Sequence, residues 1–193
     1  MNTDYSEYIS NDLLPESEVG IKSTYSFWIY FSNVPENAHW VNDYNEAKPI
    51  IFRYGTPDVV YLPKHHQLKL SFTYKNPSNI KTKYDFILKD LDVQKWMNII
   101  MVMNNRHIDI YLDGELHGST ILNSVPFLTK KFLYLGQRNN NFNGYINYLE
   151  YFNNALTIDE AKALYQSRVN KMPNNLIPYS EAFYKKHKKD KKE

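Results

Sequence analysis

Asp109, Asp113 and Glu115 stand close together in "HIDIYLDGELHGSTIL", residues 107–122. Two carboxyls about 5–5.5 Å apart across a glycosidic bond are the machinery of a retaining glycosidase. On a strand, such a pair needs acids at i and i+2 or i+4, because alternate side chains share a face. Asp109 and Asp113 have that spacing, but Tyr111 stands between them. Asp113 also precedes Gly114, and Asp-Gly between two alternating runs is a hairpin turn in which Asp has a backbone role of its own. Asp90 and Asp92 in "LKDLDVQ" read as a polar loop. The opening stretch therefore reads as a solvated strand and its turn, no catalytic residue is assigned, and the chain is not read as an enzyme.

Calcium takes several oxygen ligands, carboxylates among them. Two loops offer oxygens: "VNDYNEA", with Asn42, Asp43, Asn45 and Glu46, and "QRNNNFNG", with Asn139, Asn140, Asn141 and Asn143. The second has no carboxylate and sits beside Arg138. Both read first as polar turns, so no cofactor is assigned, and calcium stays the alternative. His65 and His66 are adjacent, so on a strand they point oppositely and cannot share a metal. His107 and His117 lie on the two arms of the Asp113-Gly114 hairpin and read as a surface pair.

Sugar recognition needs an aromatic plate for the apolar ring face and amides or carboxylates for the hydroxyl edge. In "NAHWVNDYNEA", Trp40 and Tyr44 flank Asn42 and Asp43. A Trp in a polar loop either anchors the loop or meets a partner, and aromatic residues are enriched at recognition surfaces. The candidate ligand-binding residues are Trp40, Asn42, Asp43 and Tyr44, with Asn139, Asn141 and Asn143 from the second loop.

The elements that must position these residues follow from alternation. Short runs separated by turn residues predict strands at 22–32, 48–54, 58–62, 67–74, 84–89, 96–104, 107–112, 115–122, 131–136 and 143–152. Ile108, Ile110 and Leu112 face a core in this reading, and Asp109, Tyr111 and Asp113 face solvent. Residues 96–122 form a three-stranded meander. One helix follows in "ALTIDEAKALYQSRV", where Thr157 and Glu160 make a capping box and Pro173 prevents continuation. Ten strands without helical crossovers predict an all-β antiparallel jelly-roll-like sandwich with one short C-terminal helix.

Composition agrees. The 193 residues include 17 Tyr, 10 Phe and 3 Trp, residue types that favour a pleated surface. There is no cysteine, hence no disulfide and no thiolate chemistry. No apolar run of about 18 residues predicts a membrane span, and the first residues lack the basic start and apolar run of a secretory signal. The net charge of +2 does not suit a specific nucleic-acid binder. Charge is nevertheless uneven: only acids precede Lys22, and residues 185–193, "KKHKKDKKE", hold six Lys against Asp190 and Glu193. That end reads as a solvated tail, with an anionic partner as its alternative use. The chain divides into a polar acidic arm at 1–18, a sandwich at 19–170 and a C-terminal extension at 171–193.

"QKWMNIIMVMNNRHIDIYLDGELHGSTIL" resembles the signature of laminin-G-like and pentraxin-like domains in the concanavalin A-like lectin/glucanase superfamily, through Trp96, Tyr111, Asp113 and Gly114. "YSFWIYF", with Trp28, resembles the early strand, and "FNGYINYLEYFNNALTIDEAKALY" the closing strand, link and helix. The resemblance covers roughly residues 19–168. Hydrolases of this superfamily carry Glu-x-Asp-x-Glu or Glu-x-Asp-x-x-Glu on one strand, a pattern from which Tyr111 departs. The resemblance implies a lectin-like module that binds a glycan or glycoprotein, with calcium at a loop rim in many relatives. Similar wording in domains of large DNA viruses of algae and protists, with 22 Asn here, gives two further expectations: location in a virion or host cytoplasm, and an alternative role in assembly with other virion proteins, as in a minor capsid-type protein.

Overall fold

The computed structural model describes residues 5–16, 21–32, 46–127, 130–137, 140 and 142–172. Among these residues eleven strands run in chain order: β1 Tyr5–Ile9, β2 Lys22–Phe31, β3 Lys48–Phe52, β4 Asp58–Leu62, β5 Gln67–Lys75, β6 Lys81–Leu88, β7 Trp96–Asn104, β8 His107–Leu112, β9 Glu115–Ile121, β10 Leu133–Gln137 and β11 Gly144–Phe152. They make a six-stranded sheet, β1-β10-β3-β4-β5-β6, and a five-stranded sheet, β11-β2-β7-β8-β9. Every pairing is antiparallel. Helix α1, Ile158–Val169, closes the domain. The chain is the expected antiparallel β-sandwich with one short C-terminal helix.

Period-two alternation builds the core between the sheets. Tyr25, Phe27, Ile29 and Phe31 of β2, with Ile99, Met101 and Met103 of β7, meet Ile51, Val59, Leu68, Leu70 and Phe72 of the other sheet. Ile108 and Ile110 are fully buried in that core, as their phase on β8 requires. The turn after β8 has the expected chemistry: Asp113 and Gly114 have φ of 50° and 79°, the positive pair that this tight hairpin demands.

Two expectations need correction. Tyr111 does not face solvent. It is 2% exposed and lies with Ile100, Val102 and Ala161 in a second small core, where α1 covers the outer face of the five-stranded sheet. Periodicity shows that a residue points away from one core, but not that something else covers it. Residues 5–16, read as part of an arm, belong to the sandwich. β1 pairs with β10 in the register Tyr8↔Tyr134 and Ile9↔Leu133, a one-turn 3-10 helix spans Asn11–Leu13, and Leu14 is buried. An edge strand shows one side to water, so its polar residues hide it from a search for apolar runs. The Lys-rich end lies outside the described residues, while Met172, just past α1, is buried. No helix among the described residues is long and apolar enough to cross a membrane.

Candidate functional site

The three acids of the 107–122 hairpin are each held by a neighbour. Asp109 accepts a hydrogen bond from the Ser119 hydroxyl. Asp113 Oδ1 accepts from the Asn98 amide at 2.8 Å while its own amide donates to the Asn98 carbonyl at 2.9 Å. Glu115 pairs with Lys162 of α1 at 2.9 Å. Tyr111, which stands between Asp109 and Asp113 in sequence, lies under Ala161 of α1. Burial, and then the nearby Asp109, push the Tyr111 phenol above its ordinary value, which keeps it protonated.

Of the loop residues singled out for binding, Trp40, Asn42, Asp43, Tyr44, Asn139 and Asn141, together with Asn45, lie outside the described residues. Their flanks are described and converge. The Ser32 amide donates to the Asn143 carbonyl at 3.0 Å, and Asn140 Nδ2 donates to the Ala47 carbonyl at 3.0 Å. The described flanks of 33–45, Ser32 and Ala47, are thus tied to Asn143 and Asn140. Asn143 is exposed. Lys48 Nζ donates to Asn140 Oδ1 at 2.6 Å, so an ammonium already holds one oxygen offered to calcium. Among the described residues no cluster of three or more His, Asp or Glu forms a metal site. His66 Nδ1 is 3.1 Å from the Tyr61 hydroxyl. His107 pairs with Ile121, while the His117 ring stands 6.3 Å from Phe86, so the hairpin histidines do not face each other.

The most developed surface feature lies elsewhere, on the outer face of the six-stranded sheet. Tyr8 of β1, Tyr134 of β10 and Phe52 of β3 are register neighbours across three strands. Phe132 lies 5.2 Å from Tyr8 and 6.3 Å from Tyr134 between ring centroids. Tyr54 lies 4.9 Å from Phe52 and 6.1 Å from Tyr134. The five rings form one continuous patch. Tyr134 at its centre is buried, but Tyr8 and Tyr54 are 47% and 41% exposed. Lys131 places its ammonium 5.7 Å from the Tyr54 ring, a cation over an aromatic face. A hydrogen bond with Tyr134, and then burial, raise the Tyr54 phenol above its ordinary value, so it stays a neutral donor and acceptor. The patch was legible in part: Tyr134 alternates with Leu133 and Leu135 in "KKFLYLG" and must point away from the core. Its partner Tyr8 was hidden in the supposed arm. A smaller row, Tyr145–Tyr30–Trp96, crosses the outer face of the other sheet at 6.1 and 5.5 Å, each ring half-buried.

Comparison with known proteins agrees with this architecture. No curated protein sequence matches the chain. Among solved structures, the botulinum neurotoxin serotype G binding domain superposes with a TM-score of 0.60 at 16% identity, covering 83% of this chain and 39% of that one. The binding domain of paraclostridial mosquitocidal protein 1 gives 0.56 at 17%, covering 77% and 38%. The binding domain of botulinum neurotoxin DC in complex with SialylT gives 0.50 at 18%, covering 76% and 35%. The chain spans less than half the length of each, and at such identities the likeness is one of fold. The family match is broader, running over residues 2–162. The chain belongs to the concanavalin A-like lectin/glucanases superfamily.

Proposed function

We propose that this domain is a non-catalytic, lectin-like module that binds carbohydrate, free or on a glycoprotein, on the aromatic face of β1, β10 and β3. The observation that carries the reading is the five-ring patch. Its two exposed tyrosines offer aromatic surface to the C–H side of a pyranose, and the Lys131 ammonium beside the Tyr54 ring offers a donor to hydroxyl oxygens. Exposed aromatic rings gathered in one patch mark interaction sites more often than scattered ones do. Superfamily membership supports the reading, as does the SialylT complex of one structural neighbour, although that domain is more than twice as long as the part matched here. The engagement of all three hairpin acids and the helix over Tyr111 support a role without catalysis.

A glycan array followed by calorimetry tests the proposal. Tyr54→Ala and Tyr8→Ala should each abolish or strongly weaken binding to the ligand found, and Trp40→Ala should not. Loss with Trp40→Ala alone would move the site to the loop rim. A protein that binds no glycan but assembles with other particle proteins would instead be a structural component.

A further inference from the structure

The core is incompletely filled where the β1–β10 edge of one sheet faces the β2–β11 edge of the other. Leu13, Leu14, Leu133 and Leu149, with Tyr25 and Tyr151, line a pocket of about 180 Å³ there that opens to solvent beside Leu13, itself 71% exposed. That is near the size of an apolar protein cavity known to hold a benzene molecule, at about 150 Å³.

Beside the pocket stands a cation that forms no salt bridge among the described residues. The Arg53 side chain follows Phe52 on the inward phase and is 4% exposed. Its guanidinium carbon lies 5.9 Å from the centre of the Tyr25 ring and 5.8 Å from that of Tyr151, the two rings that line the pocket. Nη1 donates to the Tyr25 hydroxyl, and Nη2 reaches Asn11 Oδ1 at 3.3 Å. Nε finds no acceptor among the described residues. The acids nearby are engaged elsewhere. Asp58 accepts from the Arg53 and Gly55 backbone amides and lies 3.7 Å from Lys83. Glu16, close enough to influence Tyr151, is exposed and lies 3.7 Å from Lys130. A buried guanidinium without an anion is costly, because neither water nor a carboxylate offsets its lost hydration.

The Tyr25 hydroxyl links the cation to the pocket. It accepts from Arg53, so its own proton can be given to another acceptor. Burial holds that phenol well above its ordinary value, which keeps the proton in place. A ligand oxygen in the pocket would meet a donor polarised by Arg53. The rest of the wall is the Tyr151 ring and the aliphatic side chains.

We propose that this pocket binds a small amphipathic carboxylic acid. Its apolar body lies against Leu14, Leu133 and Leu149, and its carboxylate accepts from the Tyr25 hydroxyl within the field of Arg53. The site is separate from the aromatic face, and it stands or falls independently of glycan binding.

Thermal melting and calorimetry of the full chain with benzoate and hexanoate, against benzamide and hexanamide, provide the test. Both carboxylates should raise Tm saturably, and the amides should bind at least tenfold more weakly. Leu149→Phe fills the pocket while leaving Arg53 in place, and should abolish the response. Tyr25→Phe, which keeps the ring, should weaken binding at least tenfold, and Arg53→Met should do the same if it folds. Absence of a shift with either acid, equal response to acid and amide, or an undiminished response in Leu149→Phe would each overturn the proposal.

Discussion

The Tyr165 ring stacks on the Trp28 indole at 5.4 Å with only 15° between their planes, fastening α1 to the outer face of the five-stranded sheet. This contact determines what the hairpin acids can do. With α1 seated, Ala161 covers Tyr111, Lys162 reaches Glu115, and the hairpin turn packs beneath Tyr165. The Thr24 hydroxyl holds the incoming link from the other side, donating to the Asn154 carbonyl at 2.9 Å and accepting from the Leu156 amide at 3.1 Å.

Gly114 tests that contact. A Cβ there would sit 2.7 Å from Tyr165 Cδ1, and φ is 79°, so Gly114→Ala meets both a clash and an unfavourable backbone. It should cost about 1–3 kcal/mol by urea denaturation, within the range of overpacking substitutions. Part of that cost should vanish when Tyr165→Ala is added, because contacting residues are not additive. Full additivity would mean that the ring does not press on the turn.

Ile110→Ala should destabilise by about 2–5 kcal/mol, the cost of a cavity in the main core. Tyr111→Ala should cost about as much, since it empties the small core beneath α1. Equilibrium unfolding of the two variants checks this. A Tyr111 variant as stable as the wild type would show that α1 does not seal the face in solution.

Asp109→Asn and Glu115→Gln should leave both glycan affinity and stability nearly unchanged. Exposed pairs such as Glu115–Lys162 contribute about 0–1 kcal/mol. Calorimetry and melting curves on both variants are sufficient, and glycan cleavage lost in either would contradict the non-catalytic reading.

Hydrogen bonds from the Thr157 amide and then its side chain hold the Glu160 carboxyl below its ordinary 4.5. Folding therefore favours the ionised form, so the stabilisation is fully present above about pH 4.5 and is lost as pH falls through the lowered value. The Tm difference between wild type and Glu160→Ala should be constant near neutrality and shrink below pH 4. A difference that grows in acid would show that the cap does not depend on charge.

Local patterns were enough for much of this protein. Alternation in "HIDIYL" places Ile108 and Ile110 in a core, Asp113-Gly114 requires a tight hairpin, and Thr157 with Glu160 starts a helix, because each depends on residues within a few positions of one another. The sequence also placed Tyr111 where the acid pattern of the superfamily's hydrolases has a carboxylate. Only the tertiary structure decided what lies over each outward face. It took helix α1 to bury Tyr111, β10 to recruit the polar residues 5–9 as an edge strand, and three strands distant in sequence to gather Tyr8, Phe52 and Tyr134 into one patch. Buried Arg53 beside its pocket follows the same rule, since its surroundings come from β2, β11 and residues 11–14. A residue's phase along a strand is set by the pleat, whereas its neighbours across the sheet and between layers are set by pairings that no local pattern encodes.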